Sequence, residues 1–411
     1  MSKGMDLRID GARLARRLAE LGEMGGLPGG GNARLAFTDE DKLGRDLVAG
    51  WMRQMGLEVS IDKIGNVIGL RKGLEDAAPV MTGSHIDTVR TGGRYDGNLG
   101  VLAGLEAVER LNEAGIVTRR PLAVAFFSNE EGARFHPDIM GSMVYTGKLD
   151  LEHAYEVVGI DGAVCGAELR RIGYCGPAEP GWLKPHAFVE LHIEQGPILE
   201  AEGLTIGAVD GVQGISWTEV TIEGVSAHAG TTPMRLRKDA GYAAAEIAVF
   251  VRQLTREFGG GQVGTVGRME FKPGITNVVP NRAVMTVDIR NPDEALLRQA
   301  EAKLFAFLDK IAIAEGVKIS TRPLARTQPV AFAPHMIEMV SQIAGEFGYS
   351  ARRITSGAGH DAQMMAAICP TGMIFVPSVN GLSHNVKEYT EPADLEAGAN
   401  ILLRMLLRLA A

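Results

Sequence analysis

The chain has 411 residues, 45% of them hydrophobic, and a formal net charge of −8 from 42 Lys and Arg against 50 Asp and Glu. At about 150 residues per domain this is a globular protein with core enough for two or three domains. Neither sign of charge gathers in long runs, which argues against nucleic acid or an anionic membrane as partner and leaves small molecules.

No stretch reaches the roughly 18 uninterrupted apolar residues of a membrane span, and the opening MSKGMDLRID lacks an apolar leader, so a cytoplasmic location is expected. Cys165, Cys175 and Cys369 are odd in number and lack CxxC spacing, which predicts buried free thiols. Residues 10–21 and 39–55 carry apolar positions at helical spacing, while short apolar runs at 67–70, 80–84 and 122–128 stop in Gly or polar turns, as strands do. From 99 to 114, LGVLAGLEAVERLNEA repeats apolar residues every three or four positions, which predicts a helix packed on a sheet. The stretch before it, GSHIDTVRTGGRYDGNLGV at 83–101, is then a strand-to-helix loop. In open α/β sheets, ligands sit at such loops beyond the carboxyl ends of the strands.

After Gly207 the texture changes. WTEVTIEG, a helix-like 237–258, VGTVGRMEF, AVMTVDIRN and a helix-like 293–315 predict strand, helix, strand, strand, helix. That is a separate α+β domain of about 115 residues. The α/β rhythm resumes after residue 326, so the expected division is a catalytic domain over 1–208 and 327–411 with a second domain, 209–326, inserted.

Of nine histidines, His136, His153, His186 and His335 stand in loop-like surroundings without acidic companions and read as surface or packing residues. Others keep different company. His85 and Asp87 form H-x-D at a strand end, Asp96 follows in YDG, Glu130 and Glu131 close LAVAFFSNEE, His192 sits in VELHIEQG and His384 in NGLSHN. Singly each is ordinary; their repetition at the ends of apolar runs would gather them on one rim of a sheet. Imidazoles and carboxylates without thiolate suit a borderline divalent ion such as Zn²⁺, Mn²⁺ or Co²⁺. Five such ligands exceed one open site, whereas two ions about 3.5–4 Å apart, sharing a carboxylate, would use them all. Asp96, short and framed by glycines, suits the shared position. Asp87 is expected to accept the second N–H of His85 and fix its tautomer.

The ordered series GSHIDTV, GGRYDGNLGVLAG, NEEGARF, ELHIEQGPILE, SAHAGTTPM, NVVPN, SGAGHDAQ and PSVNGLSHN resembles the peptidase-M20-like amidohydrolases over about residues 8–408. Within them it is most similar to the hydantoinase/carbamoylase branch: N-carbamoyl-L-amino acid hydrolase, β-ureidopropionase and allantoate amidohydrolase. His192 supports the branch, since related aminoacylases and peptidases tend to carry a carboxylate there. The resemblance implies a metallopeptidase-like α/β catalytic domain, a mixed sheet flanked by helices, with an inserted α+β lid and dimerisation domain. It implies two divalent ions per subunit, Zn or Mn with Co or Ni as alternatives. One would be held by His85, Asp96 and His192, the other by Asp96, Glu131 and His384.

By the same resemblance Glu130 moves the proton between water and the departing nitrogen, and Asp87 supports the site. His228 stabilises the oxyanion of the neighbouring subunit's site in a homodimer. Arg290 clamps the substrate carboxylate, and Asn277, Gln195 and the backbone at Gly359 make further substrate contacts. The implied substrate is an N-carbamoyl-L-amino acid. Allantoate enzymes of the branch carry basic residues where this chain has GISW, 214–217, so a mono-ureido acid is favoured over allantoate. β-Ureidopropionase and an aminoacylase or dipeptidase are the other enzymatic readings. A metal-binding or assembly protein that has lost catalysis would lack Glu130 or a ligand, and here all are present.

Overall fold

The computed structural model describes residues 6–411; residues 1–5 of the opening stretch considered for a leader lie outside the described residues. Two compact units emerge, one running up to Asp210 and resuming over Ala331–Ala411, the other spanning Gly211–Val330.

In the first unit local chemistry starts the helices. Asp10 accepts the Arg13 N–H to cap helix Gly11–Gly22, which buries Leu14, Leu18 and Leu21 on one stripe. Thr38 caps helix Asp39–Gln54, whose first turn carries Asp39, Glu40 and Asp41 at the positive end of the helix dipole. The strands in chain order are β1 (Glu58–Ile61), β2 (Val67–Arg71), β3 (Val80–His85), β4 (Leu122–Phe127), β5 (Ala187–Ile193) and β6 (Ile206–Val212). They are followed by β7 (Gly214–Glu223), β8 (Ala227–His228), β9 (Val263–Lys272), β10 (Val278–Val279), β11 (Arg282–Asn291), β12 (Lys318–Thr327), β13 (Val330–Ala331), β14 (Ala351–Ser356) and β15 (Thr371–Val376).

The first unit's sheet runs β1-β2-β4-β3-β5-β15-β6-β13, with β14 beside β6. It is mixed. β4, β3, β5 and β15 are parallel neighbours, while β2 pairs antiparallel with β4 and β6 with β15. Every residue of those four parallel strands is buried, as expected of strands covered by helices on both faces. Helices Asn98–Glu113 and Pro392–Leu409 supply part of that cover through largely buried faces. The expectation of a mixed sheet flanked by helices is met.

Four neighbouring parallel strands therefore end at one rim. His85 is the last residue of β3, His192 the penultimate residue of β5, and β4 and β15 run into the segments carrying Glu130–Glu131 and His384. The expectation for the thiols needs correcting: all three are free, but only Cys165 is fully buried, Cys175 and Cys369 being half-buried.

The second unit is a four-stranded antiparallel sheet, β12-β7-β11-β9, and a small β8–β10 pair. Its core joins Val220, Ile222, Met285 and Val287 of the sheet to Ile247 and Leu304 of helices Ala240–Phe258 and Glu294–Glu315. The Phe250 and Phe307 rings stack at 4.1 Å between centroids. No helix among the described residues is long and apolar enough to cross a membrane.

Candidate metal centre

The rim gathers the imidazoles and carboxylates around Asp96. Its Oδ1 lies 3.2 Å from His192 Nε2 and 3.6 Å from His85 Nε2. Its Oδ2 lies 3.5 Å from His384 Nε2, which is 3.1 Å from Glu131 Oε2. His85, Asp96 and His192 thus form one group of donors within 4.8 Å of one another, and Asp96, Glu131 and His384 a second. Asp96 belongs to both.

The rings are aimed by their other nitrogens. His85 Nδ1 is 2.9 Å from the Asp87 carbonyl and His192 Nδ1 is 2.9 Å from the Ile193 carbonyl. A carbonyl only accepts, so each Nδ1 carries a hydrogen and each Nε2 is left facing Asp96. Space for this comes from Gly97, at φ +65°, where a Cβ would fall 2.4 Å from His85 Cε1 and Nε2. Oxygen and imidazole donors without thiolate, in two groups sharing a carboxylate, fit a pair of divalent cations of the zinc or manganese kind.

The electrostatics agree with a site that seeks positive charge. Burial disfavours a charged His85, yet Glu130, Asp96 and Asp87 together hold its pKa well above the ordinary value. Burial opposes a charged His192 as well, but Asp96 and Glu190 together raise its pKa. His384 is pushed up to about 9, first by its hydrogen bond to Glu131. Burial opposes ionisation of Asp96, but His192 and His85 hold its carboxyl well below the usual range. Burial raises Glu130 well above the carboxylate norm, against the pull of His85, whose Nε2 lies 3.4 Å from Glu130 Oε2.

One expected role needs correction. The Asp87 carboxylate does not take the His85 N–H: its nearer oxygen is 4.0 Å from Nδ1. Chain reversal after β3 presents the carbonyl of Asp87 instead. The carboxylate turns the other way and accepts the backbone N–H groups of Glu130 at 3.1 Å and Glu131 at 3.2 Å. Gln195, expected to face substrate, is held at φ +57° with its amide nitrogen 2.8 Å from Asp96 Oδ2. Gly359 lies in the loop after β14, and the nearest atom to a Cβ there would be 3.8 Å away, so crowding within the chain does not require glycine.

In the second unit His228 pairs with Val278 across β8 and β10, and Ala229 N–H donates to the Asn277 carbonyl at 2.9 Å, so His228 and Asn277 lie at the same end of that strand pair. The His228 Nδ1 accepts N–H from Gly230 at 3.1 Å and Thr231 at 3.3 Å, leaving the hydrogen on Nε2. Arg290, near the end of β11, places Nε 3.1 Å from both oxygens of Asp288 and Nη2 2.9 Å from Oδ2. Its guanidinium lies over the Trp217 ring at 5.6 Å. The expected clamp for a substrate carboxylate therefore already holds an internal one.

Other residues lie at the rim, in or beside the quoted motifs, with no role read from the sequence. Ser383 Oγ and Glu388 both reach Asp96 or its backbone. Glu190 precedes His192 by two on the same strand face, and His360 meets the His192 ring edge-to-face at 4.6 Å. Glu190, His192 and His360 also lie within 4.8 Å of one another. That set is committed elsewhere: Glu190 takes the Ser84 hydroxyl at 2.6 Å and the Ala362 N–H at 2.8 Å, while His360 Nε2 meets Ser356 Oγ at 2.8 Å. Burial and the neighbouring His192 keep His360 neutral by lowering its pKa well below the ordinary value.

Residues 81–408 match peptidase family M20/M25/M40. The chain is 44% identical over 408 residues to an N-carbamoyl-L-amino-acid amidohydrolase of Rhizobium meliloti, covering 99% of this chain and 98% of that protein. It is 36% identical to a ureidoglycolate hydrolase of Arabidopsis thaliana, covering 98% of this chain and 87% of that one. The crystal structure of an amidase of the hydantoinase/carbamoylase family from Burkholderia multivorans superposes with a TM-score of 0.96 at 45% identity, covering 98% of each chain. The chain belongs to the M20 family and is an amidohydrolase within it.

Proposed function

We propose that this M20 amidohydrolase cleaves the ureido C–N bond of N-carbamoyl-L-α-amino acids, releasing the amino acid, CO₂ and ammonia with one water consumed. The observation that carries the reading is Asp96 shared between two three-ligand groups, in a chain so similar to proteins named for that substrate. His85, Asp96 and His192 would hold one divalent cation and Asp96, Glu131 and His384 the other, zinc or manganese by donor type. Bound there, such ions supply Lewis-acid polarisation of the ureido carbonyl and make water acidic enough to attack near neutral pH.

The chain's own residues supply the rest. Glu130, buried beside His85 and not needed as a ligand, takes a proton from the attacking water and delivers one to the departing nitrogen. Asp87 holds the turn that carries Glu130 and Glu131. His228, with its hydrogen on Nε2, suits donation to the developing oxyanion. Arg290 would exchange its Asp288 partner for the substrate carboxylate, which suits its planar fork, Asn277, Gln195 and the Gly359 backbone add polar contacts, and GISW offers no base for a second ureido arm. In the same reading the enzyme works in the cytoplasm as a homodimer through the 211–330 unit, His228 serving the partner's site.

A second reading, hydrolysis of ureidoglycolate, is supported by the Arabidopsis relative. Ammonia release from N-carbamoyl-L- and D-amino acids, N-carbamoyl-β-alanine, ureidoglycolate, allantoate and N-acetyl amino acids separates them. The L-α-carbamoyl acids should react best and the D forms hardly at all. Ureidoglycolate as the best substrate would install the second reading, and allantoate ahead by a wide margin would overturn both. Elemental analysis should find about two divalent ions per chain, and chelation should abolish turnover; full activity without metal would refute the cation pair.

A further inference from the structure

The loop between β15 and helix Pro392–Leu409 carries a carboxylate that the proposed chemistry leaves unused. Glu388 is only 6% exposed. Its Oε1 accepts two backbone N–H groups, those of Tyr95 and of Asp96, each at 3.0 Å. Its Oε2 is 3.0 Å from Ser383 Oγ, and that oxygen is 2.7 Å from Asp96 Oδ2. Glu388 therefore holds the Asp96 peptide directly, and its Oε2 lines the same Ser383 hydroxyl that faces the Asp96 carboxylate, the single hydrogen going to the nearer acceptor, Asp96. The grip has made room for itself: a Cβ on Gly93 would fall 2.1 Å from Glu388 Oε1, so the GGRYDG turn closes over this side chain only with glycine there.

We infer that Glu388 is the positioning residue for the shared carboxylate, setting Asp96 in place for both cations at once. The inference rests on the two-cation reading. A carboxylate serving one ion can rotate to suit it, but one serving two has to present both oxygens at a fixed angle, and a hydrogen-bonded outer partner is what sets that angle. The arrangement also ties the two groups together, because Ser383, His384 and Glu388 ride on one loop while Asp96 belongs to the other side of the rim.

The test is zinc titration of the full chain against a chromophoric chelator, with melting of the zinc-free protein as the check on folding. Glu388→Ala should weaken both zinc ions together, each by about 10–100-fold, the usual cost of losing an outer partner. Glu388→Gln should restore both, since its amide oxygen still accepts the two N–H groups and its NH₂ can donate to Ser383. His384→Ala should weaken one ion far more than the other. Should the alanine variant not fold, Ser383→Ala carries the test, with a smaller loss expected at both ions. Two zinc ions bound by Glu388→Ala, or by Ser383→Ala in its stead, with wild-type affinity would overturn the inference, as would a loss confined to one ion. Wild-type protein that takes up fewer than two zinc ions would instead refute the two-cation reading beneath it.

Discussion

Replacing Asp87 by Asn changes one atom and probes how the proton carrier is held. The carboxylate spans two buried N–H groups, Glu130 at 3.1 Å and Glu131 at 3.2 Å, with one oxygen on each. Asparagine keeps one acceptor and turns an NH₂ toward the other N–H. One buried donor is then unsatisfied, at a cost of about 1–3 kcal/mol. The turn escapes that cost only by shifting, and the shift moves the Glu130 and Glu131 side chains that ride on it. Turnover should therefore fall by about 5–150-fold in kcat/KM, the same 1–3 kcal/mol expressed as a rate. Asp87→Ala strands both N–H groups, and the loss should reach about 2–6 kcal/mol.

Global stability should suffer less than activity, because burial already pushes the Asp87 carboxyl up to about 6 and the neutral amide is spared that desolvation. Steady-state kinetics on an N-carbamoyl-L-amino acid, with zinc content and melting temperature measured alongside, give the comparison. KM should change little, since Asp87 touches no proposed substrate contact. If both variants retain kcat/KM within twofold of wild type, the carboxylate does not hold this turn in the way its hydrogen bonds imply.

Glu130→Gln should keep zinc and fold yet lose about 10²–10⁴-fold in kcat, as removal of a general acid–base does; near wild-type turnover would take Glu130 out of that role. Gly97→Ala puts a Cβ 2.4 Å from the His85 ring at φ +65°. Backbone strain alone costs about 1–3 kcal/mol, so the variant should melt lower and bind zinc poorly, and an unchanged zinc titration would contradict the geometry. Arg290→Ala should cost about 2–4 kcal/mol in kcat/KM, and only for substrates with a carboxylate. An equal loss on a neutral ureido compound would point to Arg290 acting through Asp288 and the sheet.

Much of this protein is written in short-range pattern. Apolar runs of strand length at 67–70, 80–84 and 122–128 became β2, β3 and β4, and the three- and four-residue spacing at 99–114 became helix Asn98–Glu113. Once strands are parallel, their carboxyl ends share a rim. Position at the ends of apolar runs was therefore enough to pick out His85, Asp87, Asp96, Glu130, Glu131, His192 and His384. The choice of Glu131 over Glu130 as a ligand came from the family resemblance, and the structure groups Glu131 with Asp96 and His384, and Asp96 with His85 and His192 as well. Burial follows residue type with a fixed period, so element type and rim position can be read locally.

The partners of the buried polar groups could not be. Glu388 meets the Asp96 N–H across 292 residues of chain, and Ser383 meets its carboxylate across 287. Nothing in KEYT distinguishes that glutamate from a solvated one. Asp87 shows the same limit at short range: H-x-D brings a carboxylate and a carbonyl equally near the ring, and only the path of the chain after β3 decided that the carbonyl would face it. A hydrogen bond is set by tenths of an ångström and by direction, whereas any nearby carboxylate has the chemistry to accept it. Which one does is therefore a property of packing, settled when distant segments close on each other.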